Sequence, residues 1–145
     1  MKDEVGGCAM VFYVLLFAII VCMIMSLRTL FIPSTLKEKH LSFKSLIYIM
    51  SVYATVMIGF ALIYVLFYEN GFLVFSENGE VITGEFFHML QTSLYFSGVT
   101  IFSVGFGDIA PIGIGRFVAI IEALIGYSIP AAYVVRTVIL WDDRE

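Results

Sequence analysis

Two stretches of this chain hold no charged residue over a length that matches a lipid bilayer. Residues 8–25 read CAMVFYVLLFAIIVCMIM, 18 residues, and the run from 45 to 68 covers 24. Roughly 20 apolar residues in a helix cross about 30 Å of hydrocarbon. A third block, residues 112–140, carries only Arg116, Glu122 and Arg136, and it qualifies as a span from Phe117 onward. Lipid offers the backbone no hydrogen bonds, so such segments cross as helices. Composition agrees, with 61% of 145 residues hydrophobic and 14% charged, against about 45–50% and about 25% in soluble domains. The net charge of −4 is small and scattered, which argues against a nucleic-acid partner. Cys8 and Cys22 lack zinc-ligand spacing and read as apolar fillers. Nothing pairs a nucleophile with a base, spaces metal ligands or forms a phosphate loop, so the chain reads as neither an enzyme nor a cofactor protein.

The loops orient the spans. Residues 26–44 carry Arg28, Lys37, Lys39 and Lys44 against Glu38, whereas residues 69–116 carry Glu69, Glu77, Glu80, Glu85 and Asp108 against Arg116. Positive residues in short loops stay on the cytoplasmic side. The expectation is a multi-pass cell-membrane protein with its N-terminus outside and its C-terminus cytoplasmic. A cleaved leader is the rival for residues 1–27, but the apolar run is longer than the usual 7–15 residues and no small-x-small site follows it. Residues 28–44 form a basic cytoplasmic linker or an interfacial helix with lysines at the lipid phosphates. A helix over 45–68, an outer turret over 69–84, a helix over 85–100, an inner helix over 113–140 and a tail over 141–145 complete the division. In the turret, Asn78-Gly79 lies between two β-prone runs. That fits a hairpin, with an unstructured turret as the alternative.

Residues 85–100, EFFHMLQTSLYFSGVT, place apolar side chains at helical spacing. Thr83 or Gly84 is the expected cap, with Glu85 favourable in the first turn. This helix is too short to span, and Ser103-Val104-Gly105-Phe106-Gly107 behind it cannot continue as a helix. Irregular backbone at membrane depth survives only inside protein or along water, so the segment enters part way and returns. Alternating left-handed residues, which glycine supplies without a Cβ penalty, would turn successive carbonyls toward one axis. The Ser103 hydroxyl would add an oxygen at the inner end. One chain supplies one ladder of oxygens, so enclosing an ion needs several chains around an axis.

At these residues the chain resembles the potassium-channel pore family, whose pattern T-x-x-T-V-G-Y-G-D stands here as Thr100-Ile-Phe-Ser103-Val104-Gly105-Phe106-Gly107-Asp108. The match lies between two spans, follows a short aromatic helix and precedes Asp108, Pro111 and Gly115-Arg116. It covers residues 45–140, leaving the first helix outside. The resemblance implies an all-α membrane protein: outer helix, re-entrant pore helix and filter, inner helix, one extra N-terminal helix and a tetrameric pore. It implies K+ ions at carbonyls of residues 103–107, with sites at Ser103, Val104, Gly105 and Phe106; this carbonyl-ring mechanism comes with the family. Tyr95 and Phe96 stand where the aromatic cuff behind the filter usually lies, beside Thr100. Gly126 falls where the family places a gating hinge, and Pro130 removes a backbone hydrogen bond four residues on.

Several positions depart from the pattern or leave two readings open. Ser103 replaces threonine, and Phe106 replaces tyrosine and its hydroxyl. Val99 stands where some members pair a glutamate with the filter aspartate, so Asp108 needs another partner or faces water. Four copies of Asp108 would concentrate cations at the outer mouth. Arg116 snorkels to lipid or pairs with an outer acid. Glu122, an acid within a span, either supports the filter from behind through Ser93 or Ser97 or is merely satisfied there. Gly126 is a hinge or a close-packing position. The expected function is a homotetrameric K+-selective channel in membrane lipid. The alternatives are a cation channel that also passes Na+ and a regulatory subunit of a larger channel.

Overall fold

The computed structural model describes residues 2–31 and 43–142. Residue 1 and residues 32–42 and 143–145, on which much of the linker and tail expectations falls, lie outside the described residues. The order is α1 (Lys2–Phe31), α2 (Phe43–Glu69), β1 (Phe75–Glu77), β2 (Glu80–Val81), α3 (Phe86–Ile101), β3 (Ile109–Pro111) and α4 (Ile114–Asp142). Three segments, Met10–Arg28, Ile47–Glu69 and Ile114–Ala132, are long and apolar enough to cross a membrane. The chain is a multi-pass membrane protein.

Helix α1 runs antiparallel along α2. Phe12 meets Phe67 edge to face, with ring centroids 5.8 Å apart. Farther along, a Cβ on Gly59 would lie 2.7 Å from Met23 Cγ, so the missing side chain on α2 is the seat for Met23. Most of the described remainder of α1 is exposed apolar surface, as a lipid-facing helix requires.

Helix α2 ends in a two-bond cap around left-handed Gly71. Phe72 N–H donates to Phe67 O at 3.1 Å and Gly71 N–H to Tyr68 O at 2.9 Å, the pairing that satisfies otherwise orphaned carbonyls at a helix end. The Phe67 and Phe72 rings meet edge to face, adding the apolar contact that accompanies this cap.

The hairpin is present. Asn78 and Gly79 have φ of 50° and 88°, a two-residue turn whose twist matches the strands. Ser76 faces Val81 and Glu77 faces Glu80. A third strand, β3, pairs antiparallel with β1 in the order β2-β1-β3, bringing Phe75 opposite Pro111 and Glu77 opposite Ile109.

At 16 residues, α3 extends about 24 Å and stops short of a bilayer's hydrocarbon thickness. Its start differs from the expected cap at Thr83 or Gly84. Glu85 is the N-cap residue and makes no side-chain cap bond. The entry is fixed from α2 instead: the Tyr68 hydroxyl accepts from Gly84 N–H at 3.0 Å and donates to Gly84 O at 3.1 Å. The core lies between α2, α3 and the first strand. Tyr64, Phe75 and Phe96 form a ring cluster with centroids 4.8–5.5 Å apart, flanked by buried Val56, Val74 and Met89.

Candidate conduction site

The site begins where α3 runs out of helix. Phe102 is its C-cap residue. The next amides turn back to the helix end: Ser103 N–H donates to Thr100 O at 3.0 Å, Val104 N–H to Val99 O at 2.9 Å and Gly105 N–H to Val99 O at 3.2 Å. Positive φ then recurs at every second residue, 55° at Ser103, 54° at Gly105 and 79° at Gly107, whereas Val104 and Phe106 lack it. Glycine meets this demand at two of the three positions, and Ser103 meets it as a non-glycine residue whose N–H is hydrogen-bonded to Thr100 O. Among the described residues, no hydrogen bond ends on a carbonyl oxygen of residues 103–107. The segment therefore has its first three donors tied inward and its acceptors free.

Both ends of this segment are fixed. At the N-terminal end lies the last turn of α3. At the C-terminal end, β3 is held in the sheet, and Ile112 N–H donates to Val74 O at 2.9 Å. Asp108, between Gly107 and β3, accepts a 2.6 Å hydrogen bond from the Tyr95 hydroxyl on α3. That bond is the main reason the Asp108 carboxyl lies below its ordinary pKa, and it pushes the Tyr95 phenol up. Tyr95 thus supplies the partner that Val99 does not. Arg116 turns to the backbone, its Nε donating to Pro111 O at 3.2 Å.

Between α2, α3 and α4 lies a polar knot. Glu122 is fully buried on α4. One carboxylate oxygen accepts from the Ser97 hydroxyl of α3, and the other accepts at 2.8 Å from the Tyr64 hydroxyl of α2. The Ser97 hydroxyl also contacts Met57 O at 2.8 Å. A single carboxylate therefore joins three helices, satisfying the rule that a buried charge-bearing group needs partners. Ser93 is as deeply buried but has no hydrogen-bond partner among the described residues, so Ser97 alone of the two named serines meets Glu122. Phe96 faces the core, packed on Tyr64 and Phe75.

One turn farther along α4, Gly126 presses on the end of α3. A Cβ there would lie 2.9 Å from Ile101 C and 3.0 Å from Ile101 Cα. A side chain there would force one of the two helices to shift. Helix α4 continues through Pro130 without interruption.

The residues singled out in the sequence thus fall into three groups. Ser103–Gly107 form the irregular segment, Tyr95 and Asp108 are hydrogen-bonded beside its C-terminal end, and Glu122 and Gly126 join α4 to α3, the helix that precedes it. Tyr64 lies hidden inside an apolar block of the sequence, although an enclosed Glu122 demands a second donor. Strand β3 carries no local signal. Among the described residues no group of three or more His, Cys, Asp or Glu is placed to hold a metal ion.

Comparison with known proteins agrees. Residues 57–141 match a family described as "Ion channel", a stretch running from mid-α2 to the end of α4. The chain is 42% identical over 127 residues to Protein LctB of Bacillus caldotenax, covering 88% of this chain and 92% of that protein. It is 44% identical over 119 residues to Protein LctB of Geobacillus stearothermophilus, covering 82% and 89%. No solved structure gives a significant match. With the family matched over more than half its length, and its pore segment lying between two membrane-length helices, the chain belongs to the ion channels, of the potassium-channel pore-domain type.

Proposed function

We propose that four copies of this chain surround one pore and pass K+ passively through rings of backbone carbonyls from residues 103–107. The observation that carries this reading is the alternation of left-handed backbone at Ser103, Gly105 and Gly107, with no donor among the described residues on the carbonyls of this segment. Free carbonyls in a protein-lined segment need water or a cation, and rings of them replace a cation's hydration shell. The side chains support assembly: Val104 and Phe106 are 51% and 69% exposed in the single chain, which an ion-lining strand at membrane depth tolerates only when neighbours cover it.

In this arrangement Asp108 faces the outer mouth, where it raises the local cation concentration. Tyr95 fixes its direction, and Glu122 holds the pore helix against the inner helix. The basic linker lies in the cytoplasm, with the turret and N-terminus outside, because positive loops stay inside; the antiparallel packing of α1 on α2 supports the shared side of turret and N-terminus.

The test is cation flux from liposomes holding the purified protein. The native chain releases K+ down its gradient, and Gly105→Ala does not, because a Cβ at φ 54° costs about 1–2 kcal/mol and turns the strand. Equal flux through the Ala variant would remove residues 103–107 from the conduction path. Equal release of Na+ by the native chain would favour the non-selective reading.

A further inference from the structure

Pro130 leaves one carbonyl of α4 without its helical donor. In a continuous helix the amide of residue 130 would donate to the carbonyl of residue 126, four positions back. Proline has no amide hydrogen, so within the α4 ladder the Gly126 carbonyl goes unmet. That same carbonyl accepts a 3.1 Å hydrogen bond from the Tyr53 hydroxyl, 73 residues away on α2. The Tyr53 ring stacks on Phe102, with centroids 5.2 Å apart and planes 20° from parallel. Phe102 is the cap of α3 and the residue directly before Ser103. Gly126 itself lies against the Ile101 backbone.

We propose that Tyr53 is a positioning residue for conduction: its hydroxyl replaces the hydrogen that Pro130 withholds from Gly126, while its ring seats Phe102 at the filter's inner end. One side chain then ties the turn of the inner helix that lacks its Pro130 donor to the start of residues 103–107. The inference rests on the channel reading for its functional consequence but not for its geometry. A helix turn that has lost its internal bond is the place where α4 changes direction at least cost. Holding its carbonyl from α2 biases which arrangement of α4 is populated, and the stacked ring passes that arrangement to Phe102. Neither contact touches the ion-lining residues, so the bias concerns how often the pore conducts and not what it selects.

The logic predicts a particular coupling. Pro130→Ala restores an amide at residue 130, which bonds Gly126 within the helix and makes the Tyr53 hydroxyl redundant. The experiment is a double-mutant cycle over Tyr53→Phe and Pro130→Ala, with Pro130→Ser as a second variant that also restores the amide. Tyr53→Phe keeps the ring stack and deletes only the hydroxyl. Single-channel open probability is read alongside conductance and reversal potential, and thermal unfolding of the purified protein is read in parallel. With Pro130 present, Tyr53→Phe is expected to shift open probability roughly threefold to tenfold, the equivalent of one hydrogen bond, and to lower the unfolding midpoint. In the Pro130→Ala and Pro130→Ser backgrounds both effects disappear, while conductance and reversal potential stay native throughout. Equal effects of Tyr53→Phe in the proline and non-proline backgrounds, or no effect beside Pro130, would overturn the proposal. If the native chain passes no current, the channel reading falls by itself. The unfolding cycle then decides the Tyr53 contact alone: loss confined to the Pro130 background supports it, and uniform loss or none overturns it.

Discussion

Glu122 sits in the middle of a membrane-length helix with none of its surface exposed, and both of its carboxylate oxygens are engaged by hydroxyls from other helices. Removing it leaves the Tyr64 hydroxyl buried without an acceptor, a loss of about 1–3 kcal/mol, while Ser97 keeps Met57 O as a partner. Glu122→Ala should therefore destabilise the protein by about that amount in denaturant unfolding. Glu122→Gln, which keeps an acceptor of the same shape, should recover most of it. If Glu122 also holds the filter, the Ala variant's current decays during recording, and a steady native-like current would restrict Glu122 to a packing role. At the outer edge the sign is set by Tyr95. Its hydroxyl holds Asp108 below the ordinary carboxyl pKa, so the charge survives acidification past about pH 4 and is lost only as pH falls through the lowered value. Tyr95→Phe removes the main cause of that shift. Inward conductance recorded against external pH should fall off at higher pH in this variant than in the native chain; coincident curves would separate Asp108 from ion entry.

At the scale of elements, the contact between α3 and α4 depends on what Gly126 lacks. Gly126→Ala places a Cβ against rigid Ile101 backbone, so α4 must move, at a cost of about 1–3 kcal/mol. Gly98→Ala is the control, because its Cβ would meet only the flexible Met57 Sδ at 3.4 Å; that variant should unfold near the native midpoint, whereas Gly126→Ala unfolds well below it. Equal midpoints would show that α4 yields freely at this point. The elements differ in how far the chain announces them. The membrane helices are plain because largely apolar blocks of bilayer length admit one local solution. The hairpin is legible from Asn78-Gly79, and α3 from its apolar period. Strand β3 is not, because Ile109–Pro111 becomes a strand only by pairing with Phe75–Glu77, more than 30 residues earlier, and three residues carry no period. The start of α3 departs from the expected cap for a similar reason: Tyr68 on another helix holds Gly84, so no cap side chain is needed. At the site, residues 103–107 show themselves through their glycines. Tyr53 and Tyr64 do not, since each is an aromatic in an apolar run until the neighbouring helix brings it a carbonyl or a carboxylate.

For the whole molecule, the proposed pore requires more than one chain. Phe106, Phe117, Leu124 and Tyr127 are exposed in the single chain, the last three on a membrane-length helix whose apolar side chains can face either lipid or a neighbouring copy. Helix α1 contributes differently, since Phe12 and Met23 dock it on α2. Assembly around the segment Ser103–Gly107 would bury the exposed aromatic side chains of one copy against the next and bring four sets of free carbonyls together. On the proposed reading, selectivity would belong to that assembly and be set by ring geometry, since residues 103–107 carry no side-chain charge. The direct test is the reversal potential of the purified protein in a planar bilayer with K+ on one side and Na+ on the other. A reversal near the potassium equilibrium potential is the predicted result, and a reversal near zero with robust current would contradict the selective filter.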